Sequence, residues 1–179
     1  MGREETEMFR IVEQFETKGV PESVAAHGNG HINDTCLVVC KTDSGYKKYI
    51  LQRINHDIFK KPAELMENVV RVTEFLRRKI AEEGGDPARE TQRVIPVKGG
   101  ARYYQREAGT CWRMYGFIDG ASCYDEVKDP QDFYETALAF GHFQKMLSDY
   151  PAQTLHETIP DFHNTVSRLA GFRKALEED

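Results

Sequence analysis

The first half of the chain consists of short apolar runs separated by turn residues, which is the pattern of strands in an antiparallel sheet. A short strand is expected at 24–27. The runs 35–41 and 46–54 flank the turn residues 43–45 and together predict a β-hairpin. Three more strands are expected over the segments 93–98, 102–106 and 111–118.

Other segments have apolar residues at helical spacing. Residues 4–17 fit a short amphipathic helix. Residues 62–82 fit a longer one, which a proline begins and a glycine pair ends. Two further helices are expected near the end of the chain, one beginning at Asp129-Pro130 and one near Asn164.

Strands cluster before the linker-like segment 119–122 and only helices follow it, which predicts an α+β fold. We expect an antiparallel sheet of five or six strands with the 62–82 helix packed on it. The chain then divides into a sheet lobe over residues 1–121 and the beginning of a helical lobe over residues 122–179.

Composition and charge narrow the classes of partner. The chain has 24 basic and 29 acidic residues, a net charge of −5, and no basic block to bind nucleic acid or anionic lipid. No apolar run reaches the ~18 residues of a membrane helix. The four cysteines form no C-x-x-C pair, and we expect Cys36 and Cys40, which share a face of a predicted strand, to be small buried residues. A reducing cytoplasm is the expected compartment. We therefore expect no nucleic-acid partner, no membrane partner and no metal site within this chain.

The loop between the first two strands carries two glycines, Gly28 and Gly30, followed by Asn33. No helix follows it, so it is not a dinucleotide-binding fingerprint, and it lacks the Gly-Lys-Ser/Thr of a P-loop. One interpretation is a flap of the kind that kinases lay over nucleotide phosphates, with Asn33 tolerating positive φ in place of a third glycine. The other is an ordinary hairpin turn.

A flap of this kind works with a cation on the next strand and a carboxylate on the helix after it. Strand alternation puts Arg53 on the face of Leu51, and a guanidinium suits phosphate. The alternative interpretation is that Arg53 is a surface charge whose side-chain stem packs along the sheet. Its partner on the helix is left open among Glu64, Glu67 and Asn68.

Several segments together resemble the aminoglycoside phosphotransferase-like kinases. They are most similar to the N-acetylhexosamine kinases that phosphorylate the anomeric position. The resemblance runs from about residue 20 to the end and is carried by the segments 28–35, 51–55, 65–68, 112–115 and 159–164. It implies a protein-kinase-like fold, with an antiparallel sheet lobe that has one packed helix. It also implies ATP with Mg²⁺ as cofactors and a sugar, or another small hydroxyl compound, as acceptor.

The resemblance also implies roles for individual residues. The flap would cover the phosphates, Arg53 takes the position where many kinases have lysine, and residues 117–119 would form the hinge that meets adenine. Leu51 and Met114 would wall the base pocket, although Met114 fits plain sheet core equally well. The residues expected to bind nucleotide are Gly28, Asn29, Gly30, His31, Ile32, Asn33, Leu51, Arg53, Glu67, Met114, Phe117, Ile118 and Asp119.

No catalytic residue is assigned within the chain, because no histidine is followed two positions later by aspartate, as the family's catalytic loop requires. We expect the catalytic aspartate and the Mg²⁺ ligands to lie beyond Asp179, and this chain to be inactive alone. Two alternatives remain: a kinase of the same fold acting on choline, homoserine or an aminoglycoside, or a truncated, non-catalytic nucleotide-binding module.

Overall fold

A computed structural model describes residues 3–124, 126–127 and 129–178. Its strands are β1 (Val20–Ala26), β2 (Asp34–Thr42), β3 (Gly45–Arg53), β4 (Val94–Ile95), β5 (Tyr104–Gln105) and β6 (Cys111–Gly116). Its helices are α1 (Arg3–Val12), α2 (Pro62–Glu82), α3 (Pro130–Met146) and α4 (Thr165–Glu178), with a 3-10 turn at Ala152–Thr154.

Within the described residues the strands form one antiparallel sheet in the order β1-β2-β3-β6-β4, and β5 also pairs with β6. This confirms the predicted α+β class, the antiparallel sheet of five or six strands and the β2–β3 hairpin. The long helix α2 has the predicted bounds, and α3 begins at the predicted cap, where Asp129 and Asp132 form a capping box. β4 is shorter than expected because Pro96 follows it directly and has no N–H for the ladder.

Strand register divides the sheet into two faces, because successive side chains point to opposite sides. We call the first the α1 face; it presents Val38, Tyr49, Leu51, Trp112 and Met114. We call the second the α2 face; it presents Leu37, Ile50, Gln52, Arg113 and Tyr115.

The α1 face is covered by α1, which corrects the expectation of a single packed helix. Ile11, Val12 and Phe15 are buried against Leu51 and Met114 in the main core cluster. The helix also ends at Val12, earlier than the predicted Thr17, because the chain turns there to pair with another segment. Backbone bonds link Glu16 N to Pro96 O at 2.9 Å and Lys98 N to Gln14 O at 2.7 Å.

The α2 face is packed by α2. Leu65 and Met66 near the start of the helix meet Ile54 and Cys111 of the sheet region in a second buried cluster. The far end of α2 packs on α3, where Leu76, Ile80 and Met146 form a third cluster. Most of the apolar surface of α3 and α4 is exposed, including Phe133, Phe140, Leu169, Phe172 and Leu176. Within the described part of the chain, no helix is both long enough and apolar enough to span a bilayer.

Candidate functional site

The glycine loop is an ordered connection between β1 and β2. Its base is closed by the backbone bond from His27 N to Thr35 O at 2.9 Å. Asn55, just after β3, holds its far side: Asn55 N donates to Asn33 Oδ1 at 3.0 Å, and Asn55 Nδ2 donates to Ile32 O at 2.9 Å. Gly28 has φ +78°, and neither Gly28 nor Gly30 has any atom within 4 Å of an added Cβ.

Asn33 does not stand in for a third glycine. Of the described residues other than glycine, Asp161 is the one with positive φ, so Asn33 has ordinary backbone geometry. Its side chain serves instead as the acceptor that anchors the loop to Asn55. No side chain stands where a Cβ of Gly28 or Gly30 would lie, and a loop without such side chains is one that a phosphate can approach.

Arg53 lies on the α1 face, as its alternation predicts, but its partner is Asp34. The Arg53 Nε donates to Asp34 Oδ2 at 2.6 Å, and both side chains are about half exposed. The β2–β3 register places these two residues directly opposite each other, and this cross-strand pairing was the signal that the sequence analysis missed.

None of the three candidates on α2 contacts Arg53 because α2 packs on the other face of the sheet. Glu64 accepts from Lys61 at 2.9 Å. Glu67 pairs with His156 at 2.6 Å and also with Arg71. Asn68 exchanges two hydrogen bonds with the backbone of His156, at 2.8 and 2.9 Å.

Leu51 and Met114, which the resemblance assigns to the base pocket, are fully buried beneath α1. They therefore act as core residues of the α1 face and offer no surface to a ligand. They are also separate from the predicted hinge, since Phe117 and Ile118 line a different cavity with Lys48, Tyr49 and Arg93.

The predicted hinge is brought close to the start of the flap. The Phe117 ring lies 6.0 Å from the His27 ring, edge to face, and the Lys48 Nζ lies 5.3 Å from the Phe117 ring centre. The ammonium of Lys48 also pairs with Asp119 at 2.9 Å, and Arg89 donates to the Asp119 carbonyl at 2.6 Å. The segment 117–119 is thus held by contacts with His27, Lys48 and Arg89.

Arg113 is the functional candidate that the sequence analysis missed. It is 9% exposed, and its Nε donates to Gln52 Oε1 at 3.1 Å. Gln52 in turn donates to Thr35 Oγ1 at 3.0 Å, and the Arg113 guanidinium lies 5.3 Å from the centre of the Tyr115 ring. Burial raises the pKa of Tyr115, so this neighbour stays neutral. No carboxylate of the described residues lies within ion-pair distance of Arg113.

A buried guanidinium without a counter-charge is energetically costly, because burial removes its hydration and no carboxylate replaces it. A guanidinium fork binds anionic oxygens well, so such a group is a candidate for receiving an anion. The signal in the sequence was the single charge within the otherwise uncharged strand Cys111–Gly116.

An ionised carboxylate, that of Glu67, contributes to the contact between α2 and the segment after α3. The hydrogen bond from His156, followed by the charge of Arg71, holds the pKa of Glu67 below its ordinary value. A carboxyl group whose pKa is lowered on folding stabilises the fold at pH values above its ordinary pKa. This stabilisation is lost as the pH falls through the folded-state pKa.

We therefore expect Glu67→Gln to lower the thermal midpoint at pH 7, with the difference from the parent protein disappearing as the pH falls below that pKa. Thermal unfolding at a series of pH values from 7 down to 3 measures this. Glu82→Gln, at an exposed position on the same helix, is the control and should show no such convergence. A constant difference across the series would contradict the role of the Glu67 charge.

No protein-family model matches the sequence. In the described part of the chain, no three histidine, cysteine or carboxylate side chains gather as a possible metal site. The geometry does provide a glycine loop anchored by Asn55, and a buried cation, Arg113, on the α2 face of the sheet.

Proposed function

We propose that this chain is the nucleotide-binding part of an ATP-dependent kinase that acts on a small hydroxyl compound. The observation that carries the proposal is the buried Arg113 guanidinium, which lacks a carboxylate partner among the described residues. A nucleotide phosphate supplies the missing negative charge, and an arginine fork binds phosphate oxygens well.

The α2 face supports binding of both ends of the nucleotide. Leu37 and Ile50 are partly exposed apolar residues there, and the rings of His27 and Phe117 meet edge to face, with 6.0 Å between their centres. These groups suit the flat faces of adenine. The glycine flap at the end of the same strands offers backbone N–H groups to the phosphates, with no side chain over Gly28 or Gly30.

The acceptor is proposed from the resemblance alone. N-acetylhexosamines, phosphorylated at the anomeric hydroxyl, are the expected acceptors. The chain's own groups would bind and orient ATP: the flap N–H groups hold the phosphates, and Arg113 offsets their charge. Because backbone N–H groups and one guanidinium are few contacts for a triphosphate, we expect nucleotide binding to be weak and nearly independent of magnesium.

The flap can be tested at Gly30, where an added side chain meets no protein atom and the backbone has no positive φ. Gly30→Val should leave the thermal midpoint almost unchanged. It should weaken ATP binding by about tenfold or more, equivalent to ~1.4 kcal/mol, because the new side chain stands where the phosphates approach. Titration calorimetry with ATP, with and without magnesium chloride, measures the affinity.

Gly141→Val is the matched control, because Gly141 also has open space around an added Cβ and no positive φ. It lies in α3, away from the flap, and should bind ATP as the parent protein does. Equal affinity for ATP in Gly30→Val and the parent protein would refute phosphate binding at the flap. Sugar phosphate formed from N-acetylglucosamine by this chain would refute the expectation that it is inactive alone.

A further inference from the structure

A groove of about 860 Å³ lies between α2 and the segment that follows α3. Two aromatic residues line it, Phe75 of α2 and Tyr150, whose rings meet edge to face with 5.1 Å between their centres. Both residues are partly exposed, which leaves apolar surface available in the groove. None of the residues proposed to bind the nucleotide lines it, so an occupant of this groove does not depend on the nucleotide site.

Hydrogen bonds between the two sides of the groove hold them in place. Arg71 Nη1 donates to Thr154 O at 3.1 Å, and both residues line the groove. One helical turn before Arg71, Asn68 exchanges two hydrogen bonds with the backbone of His156, at 2.8 and 2.9 Å. The groove is therefore preformed, and a ligand can enter without its two sides having to move apart.

The charged residues that line the groove are mainly basic, although the whole chain has a net charge of −5. They are three arginines and one acid: Arg71, Arg77, Arg78 and Glu74. Glu74 pairs with Arg102, which lies outside the groove. Arg77 donates to the neutral carbonyl of Pro87 at 2.6 Å, and neither Arg77 nor Arg78 forms an ion pair with a carboxylate of the described residues. The positive charge of the groove therefore favours an acidic occupant.

The length of the groove suits a short stretch of peptide. Positions 71, 74, 75 and 78 of α2 have the spacing of one helix face, and seven residues of helix rise ~10 Å. An extended peptide covers this length with about three residues at ~3.3 Å each, and its alternate side chains point to the same side.

We propose that this groove is a docking site for an acidic peptide segment of a partner protein. An aromatic or aliphatic side chain of the segment would pack against Phe75 and Tyr150. Carboxylates on either side of it would pair with Arg77 and Arg78, whose guanidinium groups bind carboxylate oxygens well. The combination of an apolar anchor with flanking acids matches both the ring surface and the charge of the groove.

Fluorescence anisotropy of the labelled peptide fluorescein-DEEFDLEE-amide tests the proposal. It should show saturable binding at low ionic strength, which weakens as sodium chloride is added because salt screens exposed charges. The peptide DEEADAEE keeps the charges but lacks both anchors, and KKKFKLKK keeps the anchors but reverses the charges. With the same label, each should bind about tenfold more weakly or worse. No saturable binding of the first peptide, or equal binding of either control peptide, would overturn the proposal.

Two substitutions with opposite expected effects locate the binding. Arg78→Glu, at an exposed position, should weaken binding of the acidic peptide about tenfold or more, whereas Glu74→Gln removes a repelling charge and should tighten it severalfold. Arg173→Glu is the matched control: it changes the net charge as Arg78→Glu does, but lies on α4, outside the groove, and should bind as the parent does. Circular dichroism should show all three variants folded. Equal affinity in Arg78→Glu and Arg173→Glu, or weaker binding by Glu74→Gln, would refute the site.

Discussion

Replacing Arg113 with methionine is expected to weaken ATP binding by roughly 10- to 150-fold, which corresponds to the loss of a charge-assisted contact worth ~1.5–3 kcal/mol. The same replacement should leave the free energy of unfolding unchanged or raise it. Arg113 is 9% exposed and has no carboxylate partner among the described residues, so methionine removes a buried charge and keeps much of the side-chain volume.

Arg53→Met is the matched control because Arg53 is the cation that the resemblance assigns to the phosphates. It lies on the opposite face, is about half exposed and already pairs with Asp34. We expect it to bind ATP as the parent does. Calorimetric titrations with ATP and with adenosine separate phosphate binding from base binding, and adenosine affinity should be the same in all three proteins. ATP binding that depends on Arg53 and not on Arg113 would reverse our assignment of the site.

The elements of this fold that depend on local pattern were predictable. The bounds of α2 follow from a proline that can occupy the first helical turn, a continuous apolar stripe and a glycine pair after the last turn. The β2–β3 hairpin follows from two strand-like runs around Gly45, whose φ of +126° few other residues adopt.

The site was harder to predict because it depends on which face of the sheet each helix covers. Alternation correctly put Leu51 and Arg53 on one face, but nothing local indicated that α1 would bury that face. The same holds for Met114, because it is buried by α1, a helix about a hundred residues earlier in the chain. Arg113 was visible as a lone charge in an apolar strand, yet its burial and its missing partner emerge only from the tertiary structure.

The second large expected effect is a loss of stability when the packing that covers the α1 face is weakened. Phe15→Ala is expected to reduce the free energy of unfolding by about 3–5 kcal/mol, the usual cost of removing a buried aromatic ring. Phe15 is 0% exposed, packs in the main core cluster and forms an isolated bridge with Val97. A loss of this size is a large share of the ~5–15 kcal/mol by which domains are stable.

Urea denaturation followed by circular dichroism measures the effect as a shift of the unfolding midpoint. Phe133→Ala is the matched control, because Phe133 lies on α3 and is 66% exposed. The unfolding free energy of this variant should stay within about 0.5 kcal/mol of the parent value. If Phe15→Ala were equally mild, α1 would be a peripheral attachment and the sheet would fold without it.

The central position of β6 in the sheet has a consequence for the order of events on the ribosome. β6 pairs with β3, β4 and β5, yet it is the last of the strands to be synthesised. At ~5–20 residues per second, β1 to β3 wait several seconds for it, with the free edge of β3 able to pair with other chains. Slow codons between β3 and β6 would lengthen that interval, so codon choice there should influence how much of the newly made protein aggregates.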